Sequence, residues 1–289
     1  MTNGTMTTWN AEDPPDLDPP TLLGKVVGGV RLAVMLSVTA VAVLLFLLGR
    51  ALRGVFGRFV IFHFGVARLW SRVCLWLAGV RLVVHGKPIR SGSLVANHSS
   101  WLDILVLRSN RLIYFVSKAE VANWPGVGFI TRITGTVFIE RRRAEAKRQE
   151  AMLRERIGAD QLLCFFPEGT STDGLRVLPF KSSLFSAFFE NGQGADLLIQ
   201  PVSIHYRPAP RSGLPPNFYS WWGDMGFEGH IWDVLTRSFG GTAEVIFHEP
   251  VRAADYSDRK TLAEQCQRSV AKGFGEPASP LIDVGVRNP

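Results

Sequence analysis

Residues 26–49 are apolar almost without interruption, whereas beyond residue 81 the apolar positions fall in short runs between amphipathic stretches. Within the first block, Leu32 to Gly49 are 18 consecutive uncharged residues preceded by Arg31. At about 1.5 Å rise per residue they reach roughly 27 Å, close to a hydrocarbon core of about 30 Å. Residues 25–50 are therefore expected to form a transmembrane helix, with Arg31 snorkelling toward the headgroups. A signal peptide or a buried core helix meets the same length test. A signal peptide normally opens with a short basic region, and here two dozen acidic, proline-rich residues come first.

Residues 51–80 follow a different pattern. Phe56, Phe59, Ile61, Phe62, Leu69, Trp70, Leu75 and Trp76 alternate with Arg58, His63, Arg68 and Arg72. Arg68 and Arg72 lie four apart on one helical face, which predicts an amphipathic helix lying in the membrane interface. A second, shorter span or a re-entrant pair is the alternative. From residue 81 the apolar runs at 82–84, 94–96, 113–116, 136–139, 162–166, 198–205 and 243–247 read as strands. Helical patterns at 101–107, 142–158, 182–190 and 260–272 alternate with them. This predicts one α/β domain over 81–275, with a mostly parallel central sheet flanked by helices. Residues 1–24 read as a disordered acidic tail and 276–289 as an irregular one.

Composition adds three points. Hydrophobic residues make up 46% of the 289, which excludes a disordered chain. Cys74, Cys164 and Cys266 are odd in number and widely spaced, so they read as buried thiols rather than a disulfide framework. The first 24 residues carry −4 through Glu12, Asp13, Asp16 and Asp18, which leaves +11 on the remainder of a chain with net charge +7. A positive body favours anionic partners. Acidic residues before the apolar block, and Arg50, Arg53 and Arg58 after it, orient the body toward the cytoplasm.

Candidate chemistry lies in three places. Asn97-His98-Ser99-Ser100-Trp101-Leu102-Asp103 follows a predicted strand, where α/β folds place ligands. Asp103, one turn into the next helix, is within reach of the imidazole and would fix its tautomer. Ser100-x-x-Asp103 is equally a capping box, and His98 taken alone equally a surface histidine. The second is Phe165-Phe166-Pro167-Glu168-Gly169-Thr170-Ser171-Thr172-Asp173-Gly174, a turn whose glutamate suits a substrate hydroxyl and whose glycine lets backbone N–H groups approach an anion. It reads equally as a tight turn with a solvated carboxylate. Asp173 stands where Gly-x-Ser-x-Gly needs its last glycine, which argues against Ser171 as a hydrolase nucleophile. The third is Gly135-Thr136-Val137-Phe138-Ile139-Glu140-Arg141-Arg142-Arg143, whose arginines suit phosphate or carboxylate. For Arg142 and Arg143 the charged start of a helix is the preferred reading.

In this order the motifs resemble the lysophospholipid acyltransferase family, which includes bacterial 1-acylglycerol-3-phosphate acyltransferases. His98 and Asp103 match its His-x-x-x-x-Asp block, and Gly135, Phe138, Ile139 and Arg141 its Gly-x-x-Phe-Ile-x-Arg block. Phe166 to Thr170 match Phe-Pro-Glu-Gly-Thr, and Pro201 matches the proline strand block. Lys118, Glu120, Pro125 and Gly128 fit the segment between the first two blocks. The phosphatidic-acid branch continues the third block with Arg-Ser, where this chain has Ser171-Thr172. Together with Val177-Leu178-Pro179-Phe180-Lys181-Ser182, this looks more like the lyso-ornithine lipid acyltransferase branch.

The resemblance implies acyl transfer from a thioester to a lysolipid hydroxyl at a bacterial inner membrane, with the catalytic domain on the cytoplasmic face. It makes His98 the general base and Asp103 its partner. Arg141, Glu168, Gly169 and Thr170 would bind the acceptor headgroup, with Lys118, Lys181 and Pro201 in support. No cofactor or metal is implied. The co-substrate is acyl-ACP or acyl-CoA, and the partners are an acyl carrier protein or coenzyme A thioester, the lysolipid acceptor and the bilayer. No nucleic acid is expected, since only the overall charge favours it. The alternative from another class is a non-catalytic lipid-binding or scaffolding protein. The aromatic stretch Trp221, Trp222, Phe227, His230 and Trp232 suits an acyl channel, a membrane interface or plain core.

Overall fold

The computed structural model describes residues 9–10, 12–57, 62–140, 145–159, 161–190 and 193–275. Two helices lead, α1 (Leu22–Phe56) and α2 (Phe62–Leu77). The body follows as β1 (Val80–His85), β2 (Gly92–Ala96), α3 (Leu102–Arg108), β3 (Tyr114–Lys118), α4 (Val127–Ile133), β4 (Val137–Ile139), α5 (Ala146–Gly158) and β5 (Leu162–Phe165). It closes with β6 (Phe189–Glu190), β7 (Gln193–Gly194), β8 (Leu198–Arg207), α6 (Phe227–Arg237), β9 (Gly241–Phe247), β10 (Val251–Arg252) and α7 (Arg259–Gly275).

The main sheet runs in the order β1-β9-β8-β2-β5-β3-β4, with β10 also paired to β8. The pairings β8–β9 and β8–β10 are antiparallel and the rest of this sheet is parallel. Strand β2 is buried throughout, and its side chains alternate between two cores as the pleat requires. Leu94 and Ala96 join α2 and α3 in one core, and Val95 joins α7 in the other. The chain leaves β2 toward β3 and leaves β5 toward β8, in opposite directions across the sheet, so the C-terminal ends of these two parallel neighbours form a switch point. The expected α/β fold with a mostly parallel sheet is what the chain adopts.

The helix expected over 182–190 is a 3-10 helix, Ser182–Phe188, running into β6. Its three-residue turn stacks Phe185 and Phe188 on one side, where both pack on Phe165. Helices α4 and α6 were not anticipated.

By length and composition α1 is apolar enough to cross a membrane, yet it is docked along the body. Arg31 does not snorkel: it donates to the carbonyls of Leu235 (3.0 Å) and Ser238 (2.8 Å), at the C-terminal end of α6. Arg50 likewise donates to Ile133 O, at the end of α4, at 2.6 Å. Both cations meet the partial negative charge of exposed helix-end carbonyls. Roughly 28 Å of helix separates these two anchors. A Cβ on Gly28 would sit 2.4 Å from Cγ2 of Thr236, so only glycine lets α1 approach α6 this closely. Helix α2 turns back along α1, with Trp70 Nε1 bonded to Thr39 Oγ1 and Phe46 against His63. Helix α2 buries Ser71, Cys74, Leu75 and Leu77 against the body and leaves Leu69 and Trp76 exposed.

Part of the segment expected to be a disordered tail, residues 12–21, lies before α1, and Leu17 packs against the body's core. Trp9 and Glu12 touch loops of the body, so this segment and the body share one end of α1.

Candidate active site

Asn97 fixes the end of β2. Its side chain donates to Ile204 O and accepts from Ile204 N, at 2.9 and 2.8 Å, which clamps β2 to β8 just before the histidine. His98 then turns its Nδ1 onto Oδ2 of Asp103, 2.7 Å away. The carboxylate is fully buried, whereas the imidazole side chain is 22% exposed. The same Oδ2 accepts the backbone N–H groups of Ser99 (2.9 Å) and Ser100 (3.0 Å). Capping and orienting the imidazole are thus two tasks of one carboxylate. Because Nδ1 carries the proton toward Asp103, the neutral ring keeps Nε2 as its acceptor.

Asp103 has a second buried partner. The hydroxyl of Tyr206 donates to Oδ1 at 2.7 Å, and burial, together with the adjoining carboxylate, pushes the Tyr206 phenol well above its ordinary value. The other face of the imidazole lies on Phe166, with ring centroids 4.2 Å apart and planes 19° from parallel, and Phe166 stacks in turn on Phe115. Ring packing and the carboxylate leave the imidazole little freedom.

The second motif wraps this histidine. Thr172 N donates to His98 O at 3.0 Å, and from the opposite side Trp221 N donates to Ser99 O at 2.7 Å. Glu168 is 2% exposed. Its Oε2 accepts from His98 N (3.2 Å) and its Oε1 from Leu178 N (3.1 Å). Burial raises its carboxyl to about 8, partly opposed by those two N–H groups. Both oxygens of Glu168, expected at the headgroup, meet backbone N–H groups of the loops around His98. Gly169 adopts φ +70°, and a Cβ there would meet Lys181 Nζ at 2.7 Å. Thr170 Oγ1 accepts from Trp9 N at 3.2 Å.

The other expected residues are more scattered. Lys118 ends β3, two strands from β2. Pro201 pairs with Val95 inside the sheet, in β8. It falls between the β10 pairing at Ile199 and the β9 pairing at Val202, a break in that ladder where a missing N–H is tolerated. Arg141, with Arg142 and Arg143, lies outside the described residues. Among the described residues no group of three or more His, Cys, Asp or Glu is placed to hold a metal.

Trp221 belongs to an aromatic cluster with Trp124, Trp101 and Phe227 beside the start of α3. His230 supports it: Nδ1 accepts from Trp101 Nε1 at 2.9 Å and Nε2 faces Phe218 O, while burial lowers its imidazole. Tyr206 is the residue that reading the sequence missed. Its contact spans 103 positions, and nothing near it in the chain marks it.

Comparison with known proteins gives the family. The family described as Acyltransferase matches residues 81–205. The chain is 42% identical over 273 residues to the lyso-ornithine lipid O-acyltransferase of Rhodobacter capsulatus, covering 93% of this chain and 97% of that protein. It is 36% identical to the protein of the same description from Brucella abortus, covering 70% and 78% respectively. The crystal structure of the 1-acyl-sn-glycerophosphate acyltransferase from Thermotoga maritima has the same fold, with a TM-score of 0.50 and 24% identity over 82% of this chain and 96% of that one. Similar to one relative along almost its entire length, the chain belongs to the PlsC-type acyltransferase family, the lysophospholipid acyltransferases that its ordered motifs resemble.

Proposed function

We propose that this protein is a membrane-associated lysolipid O-acyltransferase that moves a fatty acyl group from a thioester to the hydroxyl of lyso-ornithine lipid. The observation that carries the reading is the 2.7 Å contact between a partly open His98 ring and a fully buried Asp103. The two lyso-ornithine lipid O-acyltransferases at 42% and 36% identity support the acceptor. So does Ser171, which stands where the phosphatidic-acid branch carries arginine.

In this mechanism Nε2 of His98 takes the proton of the acceptor hydroxyl as its oxygen adds to the thioester carbonyl. The tetrahedral intermediate collapses by cleavage of the C–S bond, and the imidazolium returns its proton to the departing thiolate. The products are an ester and a free thiol, and no enzyme nucleophile is used. Asp103 holds the tautomer and stabilises the imidazolium. General-base assistance of this kind supplies about 10²–10⁴-fold, with positioning supplying more. Glu168 acts by holding the His98 backbone and the Leu178 loop together. Arg141 is assigned to the acceptor's carboxylate, and Gly169 and Thr170 to the headgroup side.

The donor is an acyl-ACP or acyl-CoA, and the positive body suits an acidic carrier whose docking weakens with salt. The exposed apolar face of α1 holds the protein on the inner membrane, with the body on the cytoplasmic side. Purified protein given labelled thioester, alone or with lyso-ornithine lipid or lysophosphatidic acid, tests the reading. Acyl transfer to lyso-ornithine lipid is expected. Release of free acid without acceptor would mark a hydrolase instead, and no turnover a non-catalytic lipid binder.

A further inference from the structure

We propose that the N-terminal segment carrying Trp9 and Glu12 is a strap that sets acceptor specificity by neutralising Arg176 at the rim of the site. The inference rests on the acceptor reading above.

The strap is anchored at several points. Thr21 caps α1 by accepting Gly24 N, Leu17 packs on the core, and Pro14, Pro15, Pro19 and Pro20 stiffen the stretch between. Trp222 is 1% exposed, and its single N–H donor is satisfied by Glu12 O at 3.0 Å. Without the strap that buried donor loses its partner, so the contact belongs to the fold. The Trp9 indole packs 6.4 Å from the Trp222 ring, and the backbone N–H of Trp9 donates to Thr170 Oγ1 in the Phe-Pro-Glu-Gly-Thr turn.

The strap also ends on a charged side chain of the loop that holds His98. Arg176 lies 5.3 Å over the Trp9 ring and bonds both Glu12 (3.2 Å) and Asp173 (2.9 Å). Its loop is part of the site, since Thr172 holds His98 O and a Cβ on Gly174 would touch Ser99. Hence the arginine at this rim already faces two carboxylates, and Asp13 and Asp16 stand exposed further along the strap. A phosphate headgroup therefore gains less from Arg176 than it would from an unpaired guanidinium. An ornithine headgroup, which carries its own ammonium beside a carboxylate, depends less on a second cation at this rim.

The test is the ratio of kcat/KM for lyso-ornithine lipid to that for lysophosphatidic acid, measured on the full chain and on Glu12→Gln, Glu12→Asp and Trp9→Ala. Glu12→Gln should lower the ratio roughly two- to fivefold, the range of an exposed ion pair. The change should appear as a lower KM for lysophosphatidic acid at unchanged kcat, shrink in high salt, and be largely reversed in Glu12→Asp. Trp9→Ala should act in the same direction. A purely structural role would scale both acceptors together, and that outcome overturns the inference, as does an unchanged ratio in both Glu12→Gln and Trp9→Ala. If the unaltered chain acylates only lysophosphatidic acid, the acceptor reading fails and the strap's proposed role fails with it.

Discussion

The hydroxyl of Tyr206 bonds the one oxygen of Asp103 that His98 and the capping N–H groups leave open. Through this bond β8 fixes the carboxylate that fixes the imidazole. Tyr206→Phe keeps the ring and removes the donor, leaving a buried carboxylate oxygen unpaired at a cost of about 1–3 kcal/mol. Thermal unfolding should shift down accordingly. Activity should fall about tenfold in kcat with acceptor KM nearly unchanged, because Tyr206 acts through Asp103 and touches no substrate. Steady-state kinetics beside calorimetry checks this, and a rise in KM at full kcat would contradict it.

Glu168 makes stability depend on pH in a definite direction. Its carboxyl sits at about 8 in the fold, well above the ordinary 4.5. Between those values the folded chain retains a proton that the unfolded chain has released, so this group's contribution is complete below about pH 4.5 and is lost as pH rises toward 8. Glu168→Gln removes the titration and one acceptor for the N–H groups of His98 and Leu178. The variant should melt below the unaltered protein at pH 5, and the gap should narrow steadily toward pH 8. Melting curves across that range decide it, and a gap independent of pH would place the carboxyl near its usual value.

Membrane association should be separable from the fold. Leu44 and Leu48 lie one turn apart on the outer face of α1, 67% and 51% exposed, while Arg31 and Arg50 tie the inner face to the body. Leu44→Glu with Leu48→Glu places two charges on the apolar face, where each costs several kcal/mol in lipid and little in water. The double variant should move from the membrane to the supernatant on fractionation while keeping its circular dichroism. Retention in the membrane fraction would mean that another surface binds lipid.

The strands were legible because each of β2, β5 and β8 is a short buried run bounded by turns. The pairing of His98 with Asp103 was legible because the first lies just past a strand end and the second in the first turn of the helix that follows. Helix α6 was hidden by its own aromatics: Phe227, His230 and Trp232 read as a cluster, and only its packing on α1 at Gly28 and on Trp101 reveals the period. Arg31 read as a snorkelling residue because its carbonyl partners come more than 200 positions later. The acidic, proline-rich start has the composition of disorder, and tertiary contacts through Trp222 and Arg176 override it. In each case the missing information is a long-range partner that no local pattern encodes.

The most direct test of the central claim is acyl transfer from labelled thioester to lyso-ornithine lipid by His98→Ala beside the unaltered protein. Loss of the base should lower kcat by at least about 10²-fold, with the fold and membrane fraction unchanged. Turnover within a few-fold of the unaltered protein would contradict the assignment of His98 as the group that activates the acceptor.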